Sequence, residues 1–139
     1  MLKDIPCIIT PELLKILDEM GHGDEIVVCD ANCPAHSYVK NCIYCSVTNA
    51  PSLVGAILTL IPLDTYQKPV YLMEKVEGDK TQTDIWQDYE KVIKKHTNEK
   101  IEHIERFKFY EHMKNAYAAV ITSDIRSYGN IILKKGVFE

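Results

Sequence analysis

No stretch of this 139-residue chain approaches the roughly 18 uninterrupted apolar residues of a membrane-spanning helix, so a transmembrane helix is excluded. The opening Met1-Leu2-Lys3-Asp4-Ile5-Pro6-Cys7 has no sustained apolar run after its lysine. It does not read as a secretory signal, and a cytoplasmic location is expected. Positive charge is also scarce. Lys and Arg number 16 against 20 Asp and Glu, a formal net charge of −4. The densest basic runs are the pairs Lys94-Lys95 and Lys134-Lys135, so the electrostatic footprint of a nucleic-acid binder is missing. There is no G-x-G-x-x-G, no G-x-x-x-x-G-K-[ST], no H-E-x-x-H and no G-x-S-x-G. Nucleotide, hydride, zinc-protease and serine-nucleophile mechanisms therefore have no local support, and no cofactor or metal is expected.

What is present is ordinary globular composition, 46% apolar and 26% charged. With no repeat, linker or low-complexity stretch, a single domain over residues 1–139 is expected. The five cysteines cannot all pair within one chain, and in a cytoplasmic protein they are expected as reduced thiols.

Thr10-Pro11-Glu12 reads as a helix start, followed by Leu13, Leu14, Leu17 and Met20 at helical spacing and by Gly21 as its stop. Glu25–Asp30 is a short apolar run ending in a carboxylate and reads as a buried strand. Residues 31–51 read as loop with at most a short strand. A short helix over Ser52–Ile61 and a strand over Val70–Val76 follow. Ile85, Trp86, Tyr89, Val92, Ile93 and His96 share one helical face. Ile101–Arg106 alternates like a strand, Phe107–Asn115 looks helical, and strands are expected over Tyr117–Thr122 and Asn130–Lys134. Strands alternating with helices imply an α/β domain, with a largely parallel central sheet covered by helices.

Three places could carry chemistry. In Gly21-His22-Gly23-Asp24, two glycines flank a histidine whose ordinary pKa suits proton transfer at neutral pH. The strand after it ends at Asp30, and carboxyl ends of strands are where open α/β sheets build sites. The bland alternative is that His22 packs a helix end and Asp30 caps a turn. In Ser127-Tyr128-Gly129-Asn130, Tyr128 and Asn130 can both donate and accept hydrogen bonds beside Gly129, or the segment is only a turn. Arg106, read as the end of a strand, presents a donor fork suited to a polyol, or else a surface ion pair. Separately, Cys33, His36, Cys42 and Cys45 have ligand types for a tetrahedral zinc, but the gap between the pairs is shorter than in ordinary zinc fingers. Phe107, Phe109 and Tyr110 read as core.

Several segments together resemble bacterial L-fucose mutarotases, members of a family that also contains the D-ribose pyranases. They are Met1-Leu2-Lys3, Ile9 to Lys15, Glu19 to Ile26 with its Gly-His-Gly-Asp, Asp30 to Ser37, Val76-Glu77-Gly78-Asp79, Arg106 to Glu111 and Tyr128 to Val137. Arginine at 106 and Tyr-Gly-Asn at 128–130 favour the fucose branch over the ribose branch. The resemblance implies a ring-forming α/β subunit, typically in decamers of two stacked pentamers with active sites near subunit interfaces. It implies a mutarotase that interconverts the α and β anomers of L-fucose, with ribose and galactose as possible further substrates. His22 would be the proton-transferring residue. Asp30, Arg106, Tyr128, Gly129 and Asn130 would hold the sugar, with Asp30 and Tyr128 also candidates for proton transfer. The reaction opens a hemiacetal and recloses it, and needs no cofactor. A D-ribose pyranase, a non-catalytic monosaccharide-binding module and a small zinc-dependent interaction protein are the rival readings.

Overall fold

Thr10 is extended, and its hydroxyl accepts the Leu13 N–H at 3.2 Å, so the first helix α1 (Pro11–Glu19) starts at Pro11. A computed structural model describes all residues, 1–139. The helix ends one residue earlier than the glycine suggests. Met20 is already extended, Gly21 donates to Asp24 Oδ2 at 2.8 Å, and the positive φ of the turn (86°) belongs to Gly23. The fully buried run Glu25–Cys29 forms strand β1.

Next come α2 (Ala35–Tyr38), β2 (Cys42–Tyr44), α3 (Ala50–Leu58), β3 (Val70–Met73) and α4 (Asp84–Ile93). The chain finishes with β4 (Glu102–Ile104), α5 (Arg106–Met113), β5 (Ala118–Ile121) and β6 (Ile131–Lys134). Arg106 does not end a strand. It is the first residue of α5, because the Glu105 carboxylate accepts the Phe107 and Lys108 N–H groups and caps the helix there. Phe107 consequently faces solvent at 61% exposure and is not core, whereas Phe109 is fully buried.

The six strands form one sheet in the order β2-β5-β1-β6-β3-β4. β1, β2 and β5 pair parallel, as do β3 and β4, and β6 runs antiparallel to both β1 and β3. The sheet is mixed, though mostly parallel. β6 reverses because only residues 122–130, without a helix, separate it from β5, and a parallel return needs a crossover of a dozen residues or more. Alternate residues feed two cores: Ile26 and Val28 pack under α1, α3 and α4, while Val27 and Cys29 pack under α2 and α5. This is the α/β layering expected of the sequence. Because β6 alone runs backwards, its N-terminal end meets the C-terminal ends of β1, β3, β4 and β5 at one edge of the sheet.

Candidate active site

Asp30 follows β1 at that edge and is 3% exposed. Its carboxylate accepts the Asn32 N–H at 2.9 Å and the Gly129 N–H at 3.0 Å. Its own N–H donates to Asn130 Oδ1 at 2.9 Å, which leaves the Asn130 amide NH₂ free to point outward. Burial raises the Asp30 carboxyl above the usual carboxylate range, and the two N–H donors only partly offset this. Gly129 is needed for close approach. A Cβ there would stand 2.8 Å from Ile85 Cδ1 and 3.3 Å from Asp30 Cβ. The left-handed residue of the turn is not this glycine but Tyr128, at φ 59°.

The turn is braced from behind. Tyr89 donates its hydroxyl to the Gly129 carbonyl at 2.6 Å, and the Trp86 indole N–H donates to the Tyr128 carbonyl at 2.8 Å. Arg126 grips Asp124 at 2.8 Å and Asp88 at 2.7 Å, while Asp124 also accepts the Ala50 N–H at 2.9 Å. Helices α4 and α3, with Asp30 after β1, thus hold residues 122–130 in one arrangement, which is how a binding loop is preorganised.

In front of the turn lies a cleft of about 260 Å³, small by the standard of drug-sized pockets and lined mainly by polar groups. Asp30, Arg106, Tyr128 and Asn130 all line it. Gly129 stands behind as backbone. Arg106 has no hydrogen-bond or ion-pair partner in the chain, and its Nε is buried and unpartnered. Its guanidinium lies 4.6 Å from the Phe107 ring centroid. A guanidinium with no acceptor in its own chain, lining a polar cleft, is suited to receive oxygens of a ligand. Ser127, within the candidate segment, also lines the cleft, and so do Asp79, Thr81 and Tyr110, which have no site role in the sequence reading. Asp79 and Thr81 sit in the loop between β3 and α4, and only the three-dimensional path of that loop brings them here. Tyr110 was assigned to the core. It is half-buried against the core beneath α2 and α5, and its ring, stacked on Tyr38 at 4.6 Å, also walls the cleft.

His22 is not in this cleft. It precedes β1, whereas Asp30 follows it, and five extended residues at about 3.3 Å each put the two at opposite ends of the strand. Asp30 and His22 therefore do not touch. The partner of His22 is Asp64, with Nε2 and Oδ1 3.0 Å apart. Asp64 is 3% exposed and also accepts the Tyr66 and Gln67 N–H groups, both at 3.2 Å. Burial works to raise its carboxyl, but the Tyr66 N–H and the His22 imidazole outweigh it and hold it below the usual range. The His22 side chain itself is 46% exposed, with the Tyr66 ring 5.1 Å away. This makes an aligned imidazole facing outward.

The four candidate zinc ligands do not converge. Cys42 at the start of β2 packs half-buried against the core beneath α2 and α5, while Cys45, one residue past β2, is buried in the core on the other face. Cys45 donates to the Ile8 carbonyl at 3.6 Å, Cys42 to the Val39 carbonyl at 3.2 Å, and His36 Nε2 pairs with the Tyr44 hydroxyl at 3.0 Å. No group of three or more His, Cys, Asp or Glu side chains is arranged to hold a metal ion.

The chain matches the RbsD / FucU transport protein family over residues 3–138. It is 45% identical over 140 residues to an L-fucose mutarotase of Actinobacillus pleuropneumoniae serotype 5b, covering 99% of this chain and 97% of that protein. It is 44% identical over 145 residues to the human fucose mutarotase, covering 98% and 94%. The crystal structure of the Streptococcus pneumoniae fucose mutarotase in complex with L-fucose superposes with a TM-score of 0.93 at 46% identity, covering 99% and 100%. The fold is shared more distantly with Bacillus subtilis RbsD, at a TM-score of 0.75 and 23% identity over the full length of both chains.

Proposed function

Because the chain belongs to the RbsD / FucU transport protein family, we propose that it interconverts the α and β anomers of L-fucose by general acid–base ring opening and reclosure. The observation that carries this reading is the Arg106 guanidinium, unpartnered beside Asp30 and Asn130 in a small polar cleft. Those groups offer what a monosaccharide requires: a fork of donors, a carboxylate acceptor and an amide donor.

Mutarotation takes the proton from the anomeric hydroxyl and delivers one to the ring oxygen. The aldehyde then turns its other face, and the steps reverse. Asp30, raised by burial, is suited to exchanging a proton on one side of the sugar. His22 is assigned the other side, with Asp64 fixing its ring and tautomer. A single chain cannot bring His22 to its own cleft, so a neighbouring copy must supply it. The donating and receiving surfaces lie at opposite ends of the sheet. Such a head-to-tail contact is heterologous and closes into a ring when the rotation allows. A ring agrees with the decamer of two stacked pentamers that the resemblance implies, ten copies of the 15.9 kDa chain in the cytoplasm, a mass that light scattering would measure. No helix is long and apolar enough to cross a membrane.

The deciding experiment is saturation-transfer NMR between the α and β anomeric protons of L-fucose, with D-ribose and D-galactose run in parallel. Fucose exchange well above buffer, undiminished by exhaustive chelation, is expected. Binding without faster exchange would leave a monosaccharide-binding module. Mixing His22→Ala and Arg106→Leu subunits tests the shared site, since hybrid rings should exceed the residual activity of either variant alone.

A further inference from the structure

The segment from Glu74 to Thr83 leaves β3 and runs past the mouth of the cleft to α4. It is tied down at its start, where the Glu74 N–H donates to the Ile104 carbonyl at 2.7 Å. Mid-segment, a turn closes with the Asp79 N–H on the Val76 carbonyl at 3.0 Å, with Gly78 at φ 83°. Asp79 Oδ1 then accepts both the Thr81 N–H at 2.8 Å and the Thr81 hydroxyl at 2.6 Å. Its other oxygen, Oδ2, accepts the Tyr128 hydroxyl from across the cleft. The Tyr128 oxygen in turn accepts the Val76 N–H at 3.3 Å.

The inventory of a phenol is one proton and two lone pairs. Here the proton goes to Asp79 and one lone pair to Val76, so only one acceptor position remains for a ligand. We infer that Asp79 is a positioning residue for sugar binding: by accepting the Tyr128 hydroxyl proton it fastens the 74–83 segment across the cleft and makes Tyr128 an acceptor of sugar hydroxyls rather than a donor. Both Asp79 oxygens accept hydrogen bonds, which hold the carboxylate in its ionised form. Its carboxyl is held down to about 2, by the Thr81 hydroxyl first and the Tyr128 hydroxyl next. The same contact is the main cause that raises the Tyr128 phenol. The inference deepens the mutarotase reading and rests on it for its kinetic part.

The test compares Asp79→Ala, Asp79→Asn, Tyr128→Phe and the double variant Asp79→Ala/Tyr128→Phe. Each single loss of the contact is expected to raise KM for L-fucose about five- to tenfold, with kcat within about threefold. The double variant should be no worse than the worse single one, because both remove the same hydrogen bond. Asp79→Asn keeps an oxygen acceptor and should recover most of the KM. An independent readout is NMR titration of Tyr128 labelled with ¹³C at Cζ. The phenol should titrate at lower pH in Asp79→Ala than in the unaltered protein. Additive losses, an unchanged KM or an unmoved titration would each overturn the assignment. If the unaltered protein does not speed anomer exchange, the mutarotase reading fails, and the titration alone decides the Asp79–Tyr128 contact.

Discussion

Arg106→Leu separates the binding role of this residue from any structural one. In most proteins a half-buried arginine is tied to a carboxylate or carbonyl, and removing it lowers stability and affinity together. Here the guanidinium has no acceptor within the chain, and its Nε is buried without a partner. Leucine restores most of the aliphatic contact against the cleft wall and removes an unsatisfied polar group. Folding stability should therefore change by less than about 1 kcal/mol in either direction. That corresponds to a shift in Tm under about 5 °C. Sugar binding is different, because leucine leaves the hydroxyls facing Arg106 unpaired in a partly dry cleft, at about 1–3 kcal/mol for each lost partner. One partner already amounts to about a tenfold loss, and two to a hundredfold or more. Titration calorimetry with L-fucose and saturation-transfer exchange rates measure the loss, and differential scanning calorimetry measures Tm. Arg106→His keeps a shorter donor and should lose fucose activity more than ribose activity. A Tm that drops in step with affinity, or fucose exchange equal to that of the unaltered protein, would refute the reasoning.

His22→Ala should lower anomer exchange about 10²-fold or more with unchanged circular dichroism, since the imidazole is half exposed in a turn and its removal uncovers no core. Gly129→Ala should cost about 1–3 kcal/mol by overpacking, because its Cβ meets the fully buried Ile85 at 2.8 Å and presses on Asp30; urea unfolding and fucose affinity should both fall. Asp79 contributes stability through a carboxyl lowered from 3.8 to about 2. With a lowered folded value, that contribution is present above about pH 4 and is lost as pH falls toward 2. The urea midpoint of the unaltered protein should accordingly drop more between pH 5 and pH 2.5 than that of Asp79→Asn, and parallel profiles would count against the contact.

Local chemistry written in the sequence determined the elements and the residue types of the site. Thr10-Pro11 starts α1 because its capping bond spans three residues. The face of α4 is legible because Ile85, Tyr89 and Ile93 recur at the helical period and are all buried. The apolar runs at 26–29 and 118–121 announce strands covered on both sides. The polar residues Asp30, Arg106, Tyr128 and Asn130 stood out by type and by the family resemblance. Tertiary structure alone decided how these pieces meet. Asp30 and Gly129 are bonded across 99 residues of chain, and Tyr128 and Asp79 across 49. Such contacts follow from strand order, and strand order is set by which apolar faces bury one another rather than by any local pattern. The same cause separated His22 from Asp30. They are neighbours in sequence, but an extended strand is the longest path a few residues can take, so the two ends of β1 serve different surfaces. The reversal of β6, produced by a loop too short to cross over, then gathers the cleft at the edge that His22 does not reach.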